Sequence, residues 1–318
     1  MSKLSFVIPC YGSELTLRGV YDEICDKMSE RPQYSFEIIA VNDCSPDNVF
    51  EVIKSIAEED NRFKAVQLAK NGGKHAAIMA GFSYATGDII VNLDDDGQCP
   101  MDRLWELIAP LDNGYDIAIA KYTLKKESIF KRFGSKMNAL MAKHLLSKPK
   151  DLQLSNFSAL KRFVMDEILN YRNPYPYIDG LFLRTTSRIV NVQMEQRERY
   201  AGKGNYTFAK SLALWINGFT AFSVKPLRIA TIIGCLCAFI GFVVGIIMVI
   251  RKLINPDIAA GYTSLIAVLL FIGGLIMLML GLIGEYIGRI YISLNNSPQY
   301  VIRDTINVKE TEKDEMTQ

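Results

Sequence analysis

Ile229–Ile250 and Tyr262–Gly284 contain no charged residue. At about 1.5 Å per helical residue, each stretch is long enough to cross the roughly 30 Å hydrocarbon layer of a bilayer. Uninterrupted apolar runs of this length seldom stay inside soluble domains, so two membrane-spanning helices joined by the short loop Arg251–Gly261 are expected. The chain opens directly into the strand-like run Leu4–Ile8 with no leader-like pattern, which predicts a cytosolic N-terminal domain. Two spans then return the C-terminus to the same side. Flanking charge is a poor guide, because Lys225, Arg228 and Arg289 on the expected inner side compete with Arg251 and Lys252 in the loop. The six cysteines form no Cys-x-x-Cys pair and no disulfide-like spacing, in keeping with a reducing compartment.

The remaining 228 or so N-terminal residues provide for a domain of ordinary size. From Leu4 to Ala120, short apolar runs (Ser5–Ile8, Glu37–Asn42, Ala65–Leu68, Ile89–Leu93, Ile117–Ala120) alternate with helix-length segments. This is the pattern of β-α-β units, and it predicts an α/β fold with a mostly parallel sheet. Right-handed crossovers make the first and fourth strands neighbours where the winding reverses, and ligands of such sheets bind there, beyond the carboxyl ends of the strands. Pro9-Cys10-Tyr11 then lies beside Asp94-Asp95-Asp96, and Asp43 faces the same crevice.

Three consecutive carboxylates followed by Gly97 and Gln98 raise one another's pKa unless a cation neutralises them. Hard divalent ions prefer one or two carboxylates completed by phosphate oxygens, so a metal–diphosphate site is one reading. A solvated turn capping the next helix is the other. The formal charge of +2 argues against a nucleic-acid partner held by bulk electrostatics. No Gly-x-Gly-x-x-Gly or Walker loop is present, which disfavours dinucleotide binding and P-loop chemistry. Beyond Lys121, Ser128–Ser147 carries apolar residues at helical spacing against Lys131, Arg132, Lys136 and Lys143. It reads as an interfacial helix or as an ordinary helix covering the sheet. Tyr206–Phe222 is a second amphipathic candidate.

Several of these motifs resemble the membrane-bound polyprenyl-phosphate glycosyltransferases of the GT-A type. Phe6–Tyr11 is similar to that family's opening strand and nucleotide loop, Val41–Asp47 to its Asp-Asp-Gly-Ser-x-Asp segment, and Asn71–Gly81 to its Asn-x-Gly helix start. Leu93–Gln98 resembles its metal motif, and Lys225–Arg228 with Gly281–Tyr291 its bacterial membrane segment.

The resemblance implies a GT-A Rossmann-like domain over residues 1–225 including interfacial helices. Two transmembrane helices, near 229–250 and 262–284, fall within 226–291, and 292–318 is a cytosolic, partly disordered tail. It implies Pro9, Tyr11, Glu14, Asp43, Lys74, Asp94 and Asp95 at the nucleotide, and Asp94, Asp96 and Gln98 around Mg²⁺ or Mn²⁺. Arg132, Arg199 and Lys203 are implied at the acceptor phosphate, with Asp94, Asp96, Arg132 and Asn156 at the reacting centre. The implied reaction is inverting transfer of a sugar from a nucleotide donor, UDP-sugar favoured, to undecaprenyl phosphate for cell-envelope glycan modification. The implied setting is the cytosolic leaflet of a bacterial inner membrane, with both termini cytosolic, as a homo-oligomer, a tetramer by analogy. Four positions depart from the family pattern: Ser13, Tyr122, Asn156 and Asp95. Asn156 stands where a catalytic aspartate is often placed, with Asp151 close by in sequence. A non-catalytic membrane-tethered nucleotide-sugar binder and a transferase using another lipid or a glycan acceptor are the competing readings. His75 reads either as a phosphate contact or as part of a helix start.

Overall fold

The computed structural model describes residues 2–122, 151–197, 200, 225–255, 261–295 and 298–308. The chain divides into two compact units, Met1–Thr207 with Asn296–Gln318, and Phe208–Asn295.

The first unit is built on strands β1 (Lys3–Cys10), β2 (Ser35–Asn42), β3 (Phe63–Leu68), β4 (Ile89–Asn92), β5 (Ile117–Tyr122), β6 (Ser158–Lys161), β7 (Ile189–Met194) and β8 (Ile302–Ile306). They form one sheet in the order β7-β5-β6-β4-β1-β2-β3-β8. β1 pairs in parallel with both β2 and β4, so the winding reverses at β1 as the crossover argument requires. Its middle is fully buried, with Phe6, Val7 and Ile8 at 0% exposure, which is why it reads as an unbroken apolar run. The winding helices are α1 (Leu17–Ser29), α2 (Val49–Glu59), α3 (Lys74–Ser83) and α4 (Leu104–Asp112). α1 buries Leu17, Val20, Ile24 and Met28, one stripe at helical spacing. α3 is buried from Ala76 through Phe82, and small residues let it lie close to the sheet.

Two features were not legible in the apolar pattern. β6 enters antiparallel between β4 and β5, registering Asn92 against Ser158 and Ile119 against Ser158. Read from sequence alone, residues 292–318 form a tail; in the structure Ile302–Ile306 pair antiparallel with β3, Ala65 against Ile306 and Leu68 against Ile302. The strand Ile-Arg-Asp-Thr-Ile lies at the sheet edge with Arg303 and Asp304 exposed, and such charges discourage edge-to-edge pairing. Two short helices, α5 (Arg162–Leu169) and α6 (Ile178–Thr185), follow β6.

The amino-terminal end of the sheet is closed by a buried ion cluster. Glu37 accepts hydrogen bonds from Ser5 Oγ (2.6 Å), Lys3 Nζ (2.7 Å) and the Thr86 amide (2.7 Å), with Lys64 Nζ 3.3 Å away. Burial pushes its carboxyl up, yet these hydrogen bonds and the Lys64 charge outweigh burial and hold it at about 2.

The second unit consists of α7 (Lys225–Ile254) and α8 (Tyr262–Leu294). Ala230–Ile247 and Phe271–Gly288 are its membrane-length windows, with mean hydropathies of 2.6 and 1.8. Large apolar side chains such as Ile232, Phe242 and Met277 are exposed, as expected of helices whose solvent is lipid. The spans predicted at 229–250 and 262–284 lie within these two helices.

Candidate active site

Four loops meet at the carboxyl ends of β1, β2, β3 and β4. Pro9 is the penultimate residue of β1, and its missing N–H costs no ladder bond, because pairing with β4 stops at Val7↔Asn92. The following loop is fixed from both sides: the Tyr11 amide donates to Asp95 Oδ2 (3.0 Å) and the Gly12 amide to Ser45 Oγ (2.8 Å). The Glu14 amide donates to Asp47 Oδ2 (3.0 Å), and the Glu14 carboxylate accepts from the Asn48 amide at the start of α2 (3.2 Å). Tyr11 itself is half exposed, its ring open to solvent beside the crevice.

Asp43 is 3% exposed and accepts from the amides of Gly72 (2.7 Å) and Gly73 (2.9 Å). Burial raises its pKa, and the two amides partly offset that. Gly73 has φ +83°, a conformation that favours glycine, and it turns the chain into α3 so that Lys74 opens the helix. The Lys74 ammonium contacts Asp94 Oδ1, and the Asn156 amide donates to Asp94 Oδ2 (2.8 Å). Asn156 reaches this point because the antiparallel β6 delivers it: Asn92 Nδ2, at the end of β4, holds the Asn156 carbonyl at 3.1 Å. Asp151 is exposed and has no such contact with Asp94 among the described residues.

Asp95 turns inward as a brace, taking the Tyr11 amide on its side chain and the Thr16 hydroxyl on its carbonyl (2.6 Å). Burial, reinforced by the adjacent Asp94 and Asp96 charges, pushes its pKa up to about 6. Asp96 Oδ1 accepts the Gln98 amide (3.0 Å) and its carbonyl accepts the Tyr200 amide (3.2 Å). Gly97 has φ +76°, and a Cβ there would meet the Tyr200 ring at 2.4 Å. Tyr200 therefore lies flat over the acidic turn, its hydroxyl on Glu23. Arg197 joins the same Glu23 (2.6 Å) to Asp102 (2.5 Å). Sequence reasoning missed this latch, since no spacing links Glu23, Arg197 and Tyr200.

His75 is kept neutral: burial and then the Lys74 charge lower its pKa to about 4. Its Nδ1 accepts the Ile178 amide (3.4 Å), and its ring meets Tyr177 edge-on at 5.3 Å. Arg132, Arg199 and Lys203, with both amphipathic candidates at 128–147 and 206–222, lie outside the described residues.

Among the described residues, no group of three His, Cys, Asp or Glu side chains is gathered so as to hold a metal ion. The donor set expected from the sequence, Asp94, Asp96 and Gln98, would be two carboxylates and an amide. Such a hard, incomplete set fits a divalent ion whose shell is finished by substrate phosphates, not an ion caged by protein alone.

The model of glycosyl transferase family 2 matches residues 5–170, and that of the GtrB C-terminal hairpin matches residues 225–290. The chain is 33% identical over 310 residues to the uncharacterized glycosyltransferase YkcC of Bacillus subtilis, covering 96% of this chain and 94% of that one. It is 31% identical over 319 residues to the undecaprenyl-phosphate 4-deoxy-4-formamido-L-arabinose transferase of Proteus mirabilis, covering 99% and 97%. Against the Klebsiella pneumoniae (MGH 78578) protein of the same description, identity is 32% over 317 residues, covering 98% and 96%.

Proposed function

The chain belongs to glycosyl transferase family 2, with a GT-A domain and a GtrB-type hairpin, and from that premise we propose that it moves a sugar from a nucleoside diphosphate, UDP favoured, to undecaprenyl phosphate at the cytosolic leaflet of a bacterial inner membrane. The observation that carries this reading is the convergence of Asp94, Asp96, Lys74 and Asn156 at the strand ends of a chain that also has two membrane-length helices. Relatives described as undecaprenyl-phosphate sugar transferases along nearly their whole length support the acceptor class.

Asp94, Asp96 and Gln98 are the residues to hold Mg²⁺ or Mn²⁺, which when bound supplies Lewis-acid relief of the diphosphate charge. Lys74, already in the crevice as a cation, is placed to meet the diphosphate. Tyr11, Glu14 and Asp43 line the nucleotide side, with Pro9 shaping the strand end and Asp95 bracing the loop. The acceptor is a phosphate monoester with a second pKa of about 6, so it arrives largely deprotonated. Its oxygen forms the bond to the anomeric carbon as the bond from that carbon to the diphosphate breaks, and the electron pair leaves with the nucleotide. No proton has to be removed, which explains how an amide at Asn156 is compatible with catalysis. Asn156 orients Asp94, and Arg132, Arg199 and Lys203 are assigned to the acceptor phosphate. In-line attack inverts the anomeric carbon.

β8 shares a sheet with β1–β5, so the chain before α7 and the chain after α8 lie on one side of any membrane that the two helices cross. This supports a two-span topology with the N-terminal domain and β8 on one side, which we assign to the cytosol. Gly241, Gly245, Gly273 and Gly274 face open space, and small residues there permit close approach of further helices, in keeping with a homo-oligomer, a tetramer on the family resemblance.

The test is transfer of label from a panel of radiolabelled nucleotide sugars to undecaprenyl phosphate by the purified full chain, with Mn²⁺ or EDTA. Metal-dependent lipid labelling by one donor is expected. Metal-dependent nucleotide binding with no labelling from any donor would contradict transfer and favour a tethered binder.

A further inference from the structure

The segment that follows the second apolar helix does more than cap the sheet edge. β8 runs antiparallel to β3, so its first residue, Ile302, lies against Leu68 at the carboxyl end of β3. The residues before it therefore continue past the edge towards the loops of the site. Gln299 Nε2 donates to the carbonyls of Tyr171 (2.6 Å) and Asn173 (2.8 Å). The Gln299 carbonyl lies 3.4 Å from where a Cβ on Gly72 would stand. The Val301 carbonyl accepts the Ala69 amide (2.8 Å), and the Tyr300 hydroxyl meets Ser83 Oγ (3.3 Å) at the last residue of α3.

The loop Ala69–Gly73 has little means of fixing itself. Two of its residues are glycine, and a glycine pair carries the largest conformational entropy to be lost. On its inner side the amides of Gly72 and Gly73 grip Asp43, and Asn71 Nδ2 holds the Asp43 carbonyl at 3.0 Å. On its outer side it meets residues 299–301. The loop is thus sandwiched, and the same returning segment lies beside Gly72, two residues before α3, and touches Ser83, the last residue of α3.

We propose that Pro298–Val301 is a working part of the donor site, with Gln299 as a positioning residue that clamps the Ala69–Gly73 loop and, through it, sets the Asp43 carboxylate for the nucleotide. This rests on the reading of Asp43 and Lys74 as donor-side residues. A segment that only finished the sheet would stabilise the fold at Gln299 and at Asn307 alike. Asn307 is the natural control, because it sits at the other end of β8 and its Nδ2 donates to the carbonyls of Ala57 (2.6 Å) and Phe63 (2.9 Å), away from the loops.

The experiment is calorimetric titration of the full-length protein in detergent with UDP, then GDP, in the presence of Mn²⁺. Melting temperatures and donor and acceptor KM are measured in parallel. Gln299→Ala is expected to weaken nucleotide binding and raise donor KM by roughly three- to tenfold, the scale of one or two lost hydrogen bonds, with acceptor KM unchanged. Asn307→Ala is expected to lower the melting temperature and leave nucleotide affinity at the wild-type value. Equal affinities in wild type and Gln299→Ala would overturn the clamp, as would an equal loss in both variants. Asp43→Asn separates the two layers. If it binds nucleotide normally while Gln299→Ala does not, the route through Asp43 is overturned. If the wild type binds neither nucleotide, the donor-site reading falls and the clamp falls with it.

Discussion

The two ends of the same sheet bury carboxylates in opposite ways. At the amino-terminal end, Glu37 is surrounded by Lys3, Lys64, Ser5 and Thr86, and its carboxyl is held at about 2. At the carboxyl end, Asp94, Asp95 and Asp96 are consecutive, Lys74 contacts Asp94, and Asp95 is pushed up to about 6. One end is neutralised from within the chain. The other crowds three carboxylates into consecutive positions, and such crowding is retained where a charge-relieving ligand is to be bound. A carboxylate that holds the fold thus stands against carboxylates that we assign to the site.

The largest effect expected is at the carboxyl end. Asp94→Ala should reduce sugar transfer at least about a hundredfold, the scale of removing one electrostatic contact to the reacting groups, while the melting temperature stays near that of the wild type. A comparable loss in both would erase the distinction between the two ends. Glu37→Gln should do the reverse. It leaves Lys3 and Lys64 without their counter-charge and should destabilise the fold by on the order of 3 kcal/mol, with transfer per folded molecule unchanged.

The same contrast has a pH form. The folded-state pKa of Glu37 lies below its ordinary value, so its contribution is fully present above about pH 4.5 and is lost as pH falls towards about 2. The difference in melting temperature between wild type and Glu37→Gln should therefore narrow between pH 6 and pH 3. A constant gap would show that the charge of Glu37 is not what stabilises. The smallest effect concerns the brace. Asp95→Asn keeps an oxygen for the Tyr11 amide and removes one of three adjacent charges, so the ligand-free protein should gain about 1 kcal/mol of stability. A fall in melting temperature would mean that the charge itself holds the loop.

Both ends were not equally legible in the sequence. β1–β5 announce themselves as apolar runs, and the crossover rule places Asp94–Asp96 beside Pro9–Tyr11, which the structure bears out. β6, β7 and β8 are short, or alternate polar with apolar residues, and β8 carries Arg303 and Asp304 among five residues. Their pairing partners lie tens to hundreds of residues away, and no local period encodes that. The Asn156–Asp94 contact depends on β6 entering antiparallel, so sequence reached Asn156 through family resemblance and not through spacing. Gln299 and Tyr200 act through an amide and a ring whose partners are backbone carbonyls and a glycine face. Neither leaves a motif.

We assign the acids at the carboxyl end to a metal-bound nucleotide. The most direct test is Mn²⁺ binding followed by electron paramagnetic resonance in wild type, Asp94→Ala and Glu37→Gln, with and without the nucleoside diphosphate. Tight Mn²⁺ uptake is expected that requires nucleotide, is lost in Asp94→Ala and survives in Glu37→Gln. Wild-type Mn²⁺ uptake by Asp94→Ala, with nucleotide present, would contradict it.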